Sequence, residues 1–207
     1  MTSQLEIDLP CDYRVCPFPC QRAIRGQTYL VMSLPVVSFL LEDFMFGLAV
    51  LTVSTSGSQG NRDDSSGQAI KERLVGEEFQ VVRYEIVTDD KNTISAKFIE
   101  WADADDVDLI ISTGGTGLGK YDVTPEACLS VLDKEVPGMA EAMRSKTLEF
   151  TPMAMISRSI VGLRNNKLII TLPGSTKAVR ECLDVVMPVI PHSLELLHRE
   201  SVNDHPV

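Results

Sequence analysis

Positive charge is scarce in this chain of 207 residues: 19 Lys and Arg stand against 29 Asp and Glu, for a formal net charge of −10. That balance argues against a non-specific nucleic-acid binder, which needs a basic stripe to neutralise phosphates. An anionic small-molecule site stays open, because local backbone N–H groups can hold an anion whatever the net charge. Long apolar runs are also missing. The run "YLVMSLPVVSFLL", Tyr29 to Leu41, contains Pro35 and stops at Glu42-Asp43. It has about 13 residues where a membrane span needs about 20. It begins too far from the N-terminus for a secretory signal and lacks a clear small-residue cleavage site. The five cysteines, Cys11, Cys16, Cys20, Cys128 and Cys182, are odd in number and widely spaced. No Cys-x-x-Cys pair or nearby His completes four ligands, which argues against zinc and for reduced thiols in a cytoplasmic protein. Cys128 and Cys182 fall in helical patterns and read as small core residues.

What is present suits one globular domain, with 44% hydrophobic and 23% charged residues. Residues 1–43 read as an extension, either poorly ordered or a helix docked on the domain. Residues 44–200 read as the domain itself and 201–207 as a tail. "FGLAVLTVS" (Phe46–Ser54) and "VDLIIST" (Val107–Thr113) are apolar, β-branched runs expected of buried strands, and "FQVVRYEIV" (Phe79–Val87) reads as a further strand. A polar Gly/Ser/Asp loop follows the first, and Ser66 is expected to cap the helix beyond it. Ile94, Phe98 and Trp101 mark the core face of a second helix. Later, "ISRSIVGLR" and "KLIITLPG" flank Asn165-Asn166, a pair suited to a tight hairpin turn. The alternation predicts a three-layer α/β/α sandwich with a mostly parallel sheet and one antiparallel hairpin.

The stretch "STGGTGLGKYDVTPEA", Ser112 to Ala127, nearly satisfies the phosphate-binding pattern G-x-x-x-x-G-K-[ST]. It fails at Tyr121, where that pattern needs a magnesium-binding hydroxyl. A helix start is written further on, with Thr124 as a candidate N-cap, Pro125 at the first position and Glu126 in the first turn. The loop therefore reads as a glycine cradle, Gly114 to Gly117, followed by a presented Asp122. A carboxylate beside an anion cradle repels phosphate unless a cation such as magnesium lies between them.

"TGGTG", "DVTPEA", "PGMAEAM", "TPMAMISRSIVGLR" and "LIITLPGSTKAVREC", in this order, resemble the molybdopterin adenylyltransferases, which include the bacterial MogA type, the plant Cnx-type G domain and the N-terminal domain of gephyrin. The resemblance spans roughly Phe46 to Arg199. It implies transfer of AMP from Mg²⁺·ATP to the terminal phosphate of molybdopterin, with pyrophosphate released. Asp122 and Asp89 are implied as catalytic and magnesium-binding residues. Gly114, Gly115, Thr116, Gly117, Ser157, Pro173, Gly174 and Ser175 are implied to bind substrate. It further implies a homotrimer and a separate domain or protein that inserts molybdate. The alternative is a non-catalytic molybdopterin-binding or trimeric scaffolding module of the same fold.

Two positions depart from the family pattern. Val53-Ser54-Thr55 stands where V-S-D is usual, and Tyr121 stands where a basic residue usually precedes the aspartate, although Lys120 is adjacent. Taken without the resemblance, Asp89 reads as the cap of a helix beginning near Thr93, Ser157 as a strand hydroxyl, and Arg158 as either a solvated charge or an anion clamp.

Overall fold

The computed structural model describes Ala23–Ile24, Gln27–Thr28 and residues 45–198 except Arg62 and Glu77. The chain divides into two units, Met1–Glu42 and Asp43–Val207. In the first, β1 (Ala23–Ile24) and β2 (Gln27–Thr28) pair antiparallel. The expectations for Cys11, Cys16, Cys20, the apolar run and the 201–207 tail lie outside the described residues.

The second unit is built on a six-stranded sheet ordered β4-β3-β5-β8-β7-β6. Its strands are β3 (Phe46–Val53), β4 (Phe79–Val87), β5 (Leu109–Thr113), β6 (Lys134–Glu135), β7 (Val161–Arg164) and β8 (Lys167–Leu172). β4, β3, β5 and β8 run parallel, whereas β7 pairs antiparallel with both β8 and β6. All eight residues of β3 are buried, as expected of a strand covered on both faces. Leu48, Val50, Leu109, Ile111, Leu168 and Ile170 pack against α2 (Ser65–Leu74), α5 (Pro137–Thr147), α6 (Thr176–Val186) and α7 (Ile190–His198). Ala49, Leu51, Ile110 and Ile169 point the other way, toward α3 (Lys91–Ala102) and α4 (Thr124–Leu129). The period-two alternation of the strands thus produces the three-layer sandwich expected.

Local expectations fare unevenly. Asn165 and Asn166 both take positive φ, 46° and 59°, and join β7 to β8 as the two-residue turn of a hairpin. Trp101, Cys128 and Cys182 are buried core residues, and burial raises the Cys128 thiol to about 12 and Cys182 to about 11. Two helix starts need correction. Asp64, not Ser66, caps α2 by accepting from the Gly67 N–H at 2.8 Å. Thr124 is already inside α4 and Val123 holds the cap position without a side-chain bond. The Thr124 hydroxyl instead donates to the buried Gly114 carbonyl at 2.9 Å. The third strand begins at Leu109 rather than Val107. The Asp108 carboxylate accepts from the Gly47 N–H at 2.7 Å, so this end of the sheet is closed by a side chain.

Phe98 is fully enclosed between the sheet and α3. Phe98→Ala is expected to destabilise the domain by about 3–5 kcal/mol through lost transfer energy and a residual cavity, measured as a lower denaturant midpoint at unchanged slope.

Candidate active site

The candidate site lies at the carboxyl ends of the parallel strands, the place where open α/β sheets bind ligands. β5 ends at Thr113, and Gly114 and Gly115 reverse the chain with φ of 98° and 63°. A Cβ on Gly114 would collide with the Val53 carbonyl, and one on Gly115 with the Thr124 hydroxyl. Only glycine combines this backbone conformation with this approach. Thr113 Oγ1 donates to the Pro173 carbonyl at 2.8 Å, which ties the turn to the loop after β8. Gly174 packs on the Gly114 Cα. The backbone N–H groups of Gly115, Thr116 and Gly117 make no hydrogen bond among the described residues, so they are the donors a bound anion can use.

Two cavities flank this turn. One, about 580 Å³, is polar and is lined by Thr52 to Gly57, Asp63 to Ser66, Asp89, Gly114, Gly115, Gly174 and Ser175. The other, about 400 Å³, has largely apolar walls from Met143, Met153, Ala154, Ile156, Ala178 and Cys182. Thr116, Gly117, Asp122, Ser157 and Pro173 also face it. Gly115, Gly174 and Ser175 line both cavities, so the turn forms their seam. The residues proposed from sequence are therefore gathered around one turn, but in two groups. Asp89 belongs to the polar cleft and Asp122 to the apolar cavity.

Asp89 does not cap α3; its neighbour Asp90 does, accepting from the Thr93 N–H at 2.8 Å. Asp89 Oδ2 instead accepts from both the N–H and the hydroxyl of Thr55, each at 2.7 Å. Thr55, at the position of the missing family aspartate, thus holds a carboxylate where a second carboxylate would repel it. Asp122 Oδ2 accepts from the Gly119 N–H at 2.6 Å. Oδ1 of each aspartate makes no hydrogen bond among the described residues. Among those residues no three His, Cys, Asp or Glu side chains form a metal cage. These carboxylates fit Mg²⁺ in the form in which it binds nucleotides, with one or two protein ligands completed by phosphate and water oxygens.

Ser157 ends the 3₁₀ turn Pro152–Ile156 and shares a hydrogen bond with the Ser159 hydroxyl at 3.1 Å, so it is not on a strand. Ser175 caps α6, its Oγ accepting from the Ala178 N–H at 3.2 Å. Two residues emerge that the sequence reading left in the background. The Arg158 guanidinium donates to the Gly117 carbonyl at 2.8 Å and the Asp122 carbonyl at 2.6 Å, and pairs with Glu126. It is neither a solvated charge nor a free anion clamp. It fastens the loop between cradle and aspartate. For Glu126 burial acts to raise the pKa, but the bond and charge of Arg158, with a backbone N–H bond and the Lys91 charge, outweigh it and hold the carboxyl below its ordinary value. Asp64, in the polar cleft, accepts from Thr52 Oγ1 at 2.6 Å, the Tyr84 hydroxyl at 2.7 Å, Ser66 Oγ at 3.0 Å and the Gly67 N–H. Capping chemistry in "DDSSG" was the available signal for Asp64. Arg158 had none, since its partners lie 32 to 41 residues away.

Residues 49–192 match the family described as "Probable molybdopterin binding domain", and the chain belongs to that family of molybdenum cofactor biosynthesis proteins. A molybdopterin adenylyltransferase of Helicobacter pylori is 42% identical over 154 residues, covering 72% of this chain and 86% of the relative. Gephyrin of Dictyostelium discoideum is 39% identical over 175 residues, covering 80% of this chain and 24% of that longer protein. Among solved structures, the molybdopterin biosynthesis enzyme MoaB of Thermus thermophilus superposes with a TM-score of 0.70 at 48% identity, covering 74% of this chain and 96% of that one.

Asp64 supplies a pH test of the polar cleft. Burial acts to raise its pKa, yet the bonds from Thr52, Gly67, Tyr84 and Ser66 outweigh it and hold the folded-state value below the ordinary 3.8. The stability it contributes is present above that ordinary value and is lost as pH falls through the lower folded-state pKa. Asp64→Asn should therefore flatten the acid limb of thermal stability below about pH 4, a difference read from melting temperatures at stepped pH.

Proposed function

We propose that this chain is a molybdopterin adenylyltransferase, joining AMP from Mg²⁺·ATP to the terminal phosphate of molybdopterin and releasing pyrophosphate. The observation that carries this reading is the meeting of a polar cleft and a largely apolar cavity along Gly115, Gly174 and Ser175. A nucleotidyl transfer needs two chemically different substrates with their reacting atoms at one seam, and depends on positioning and charge neutralisation. In this arrangement the nucleotide triphosphate occupies the polar cleft. The pterin dithiolene occupies the apolar cavity, with its terminal phosphate at the glycine turn.

A phosphate oxygen of molybdopterin attacks the α-phosphorus of ATP. The new P–O bond forms as the bond from the α-phosphorus to the bridging oxygen breaks, and pyrophosphate leaves with that electron pair. The N–H groups of Gly115, Thr116 and Gly117 orient the phosphates and stabilise charge on their oxygens. Asp89 from the cleft side of the seam and Asp122 from the cavity side would each bind Mg²⁺ together with phosphate oxygens, and the metal would supply the charge neutralisation that lets a triphosphate lie among carboxylates. Arg158 keeps Asp122 in place through its carbonyl, and Thr55 keeps Asp89 in place through its carboxylate. The 42% identity to a protein named molybdopterin adenylyltransferase supports the same reading.

The test is pyrophosphate release by the purified chain given anaerobic molybdopterin, ATP and Mg²⁺. Asp122→Ala should lower release by about 100-fold or more while the melting temperature holds, since the residue lies in a half-exposed loop. Full activity in that variant overturns the role of Asp122. Asp89→Ala should also impair release. Tight molybdopterin binding by the unaltered chain without release would instead assign it as a binding module, with Thr55 and Tyr121 the substitutions responsible.

A further inference from the structure

The apolar cavity contains two charged side chains that the transfer chemistry does not use, Glu181 and Arg144. Glu181 lies on α6, on the face shared with Ser175, Ala178 and Cys182 at spacings of three and four residues, and all four line the cavity. Arg144 comes from α5 beside Met143 and Thr147, so two helices bring the opposite charges to one apolar space. The Glu181 side chain is 18% exposed, and its ion pair is a long one, 3.7 Å to a Lys177 that is 80% exposed. Among the described residues Glu181 accepts no hydrogen bond, which leaves a largely buried carboxylate under-partnered. Arg144 Nη1 donates to the Ser159 carbonyl at 2.9 Å, while its Nε and Nη2 make no hydrogen bond among the described residues. Glu181 also borders the depression formed by Lys146, Glu149 and Phe150, so it stands in the wall between the two spaces.

We infer that Glu181 and Arg144 read the 2-amino-4-oxo edge of the substrate's pterin ring, an inference that rests on the molybdopterin reading above. That edge presents two adjacent donors, the exocyclic amino group and the ring N3–H, which a carboxylate accepts as a bidentate pair. Next to them lies O4, an acceptor that a guanidinium can serve. The flat apolar faces of the ring match walls made of Met143, Met153, Ile156 and Cys182. Glu181 is then the specificity-determining residue, because a ligand lacking the amino donor leaves its carboxylate buried and unpaired. Arg144 adds affinity without distinguishing ring systems that share O4.

Fluorescence titrations of the full chain with pterin (2-amino-4-oxopteridine) and lumazine (2,4-dioxopteridine) test this directly. The unaltered chain should bind pterin roughly tenfold or more tightly than lumazine. Glu181→Gln should bring the two to within about threefold while AMP binding is unchanged, and Arg144→Gln should weaken both pteridines alike. Equal binding of the two rings by the unaltered chain, or an unchanged preference in Glu181→Gln, overturns the inference. The first comparison needs no variant, so a misfolded protein cannot conceal the answer. Molybdopterin-dependent pyrophosphate release alongside either overturning result would leave the transferase reading standing and remove only the role of Glu181. Absence of both release and pteridine binding in the unaltered chain would remove both.

Discussion

The chain reversal at Gly114 and Gly115 is the constraint on which the site depends. It brings the end of β5 against the Val53 carbonyl on one side and Gly174 on the other, so three strand ends share one small volume. The carbonyls of the reversal face inward, to the Thr124 hydroxyl and N–H, which leaves the following N–H groups for a ligand. A side chain at Gly115 would displace Thr124 and with it the start of α4. Loop, helix start and the N–H groups of Gly115, Thr116 and Gly117 are therefore one unit.

Around that turn the electrostatics divide. The polar cleft carries Asp63, Asp64 and Asp89, and the apolar cavity carries Asp122 and Glu181 with Arg144 as the positive counterpart. In the cleft the carboxylates are held by hydroxyls and backbone N–H groups rather than by cations, as the contacts of Asp64 and Asp89 show. For Asp64 these donors outweigh burial and hold the carboxyl below its ordinary value. Tyr84 belongs to the same network: burial, then the bond and charge of Asp64, push its hydroxyl pKa up, so it acts as a fixed donor. Arg158 is the corresponding device on the other side, donating to two carbonyls and pairing with the Glu126 carboxylate.

Much of this was legible in advance. Buried strands announce themselves as unbroken β-branched runs, and Asn165-Asn166 announces its hairpin through tolerance of positive φ. The glycines of "TGGTG" identify the chain reversal because close backbone approach leaves few alternatives to glycine. Helix starts were less legible. Ser66, Asp64 and Thr124 are all competent caps, and which one caps is decided by the partners that the fold brings near. Asp64 is fixed by Thr52 and Tyr84, residues of β3 and β4. Thr124 is recruited by a carbonyl ten residues earlier.

By itself, then, the sequence determined the layers, the antiparallel hairpin and the glycine turn after β5, because these follow from periodicity and from backbone conformations only certain residues adopt. Tertiary structure alone decided that Asp89 and Asp122 face different cavities, that Arg158 secures a loop 36 residues earlier, and that Glu181 and Arg144 share an apolar space. The physical reason is that a charged side chain has no intrinsic partner. Its role is set by whichever donors and acceptors the packing of helices on the sheet carries within about 3 Å of it.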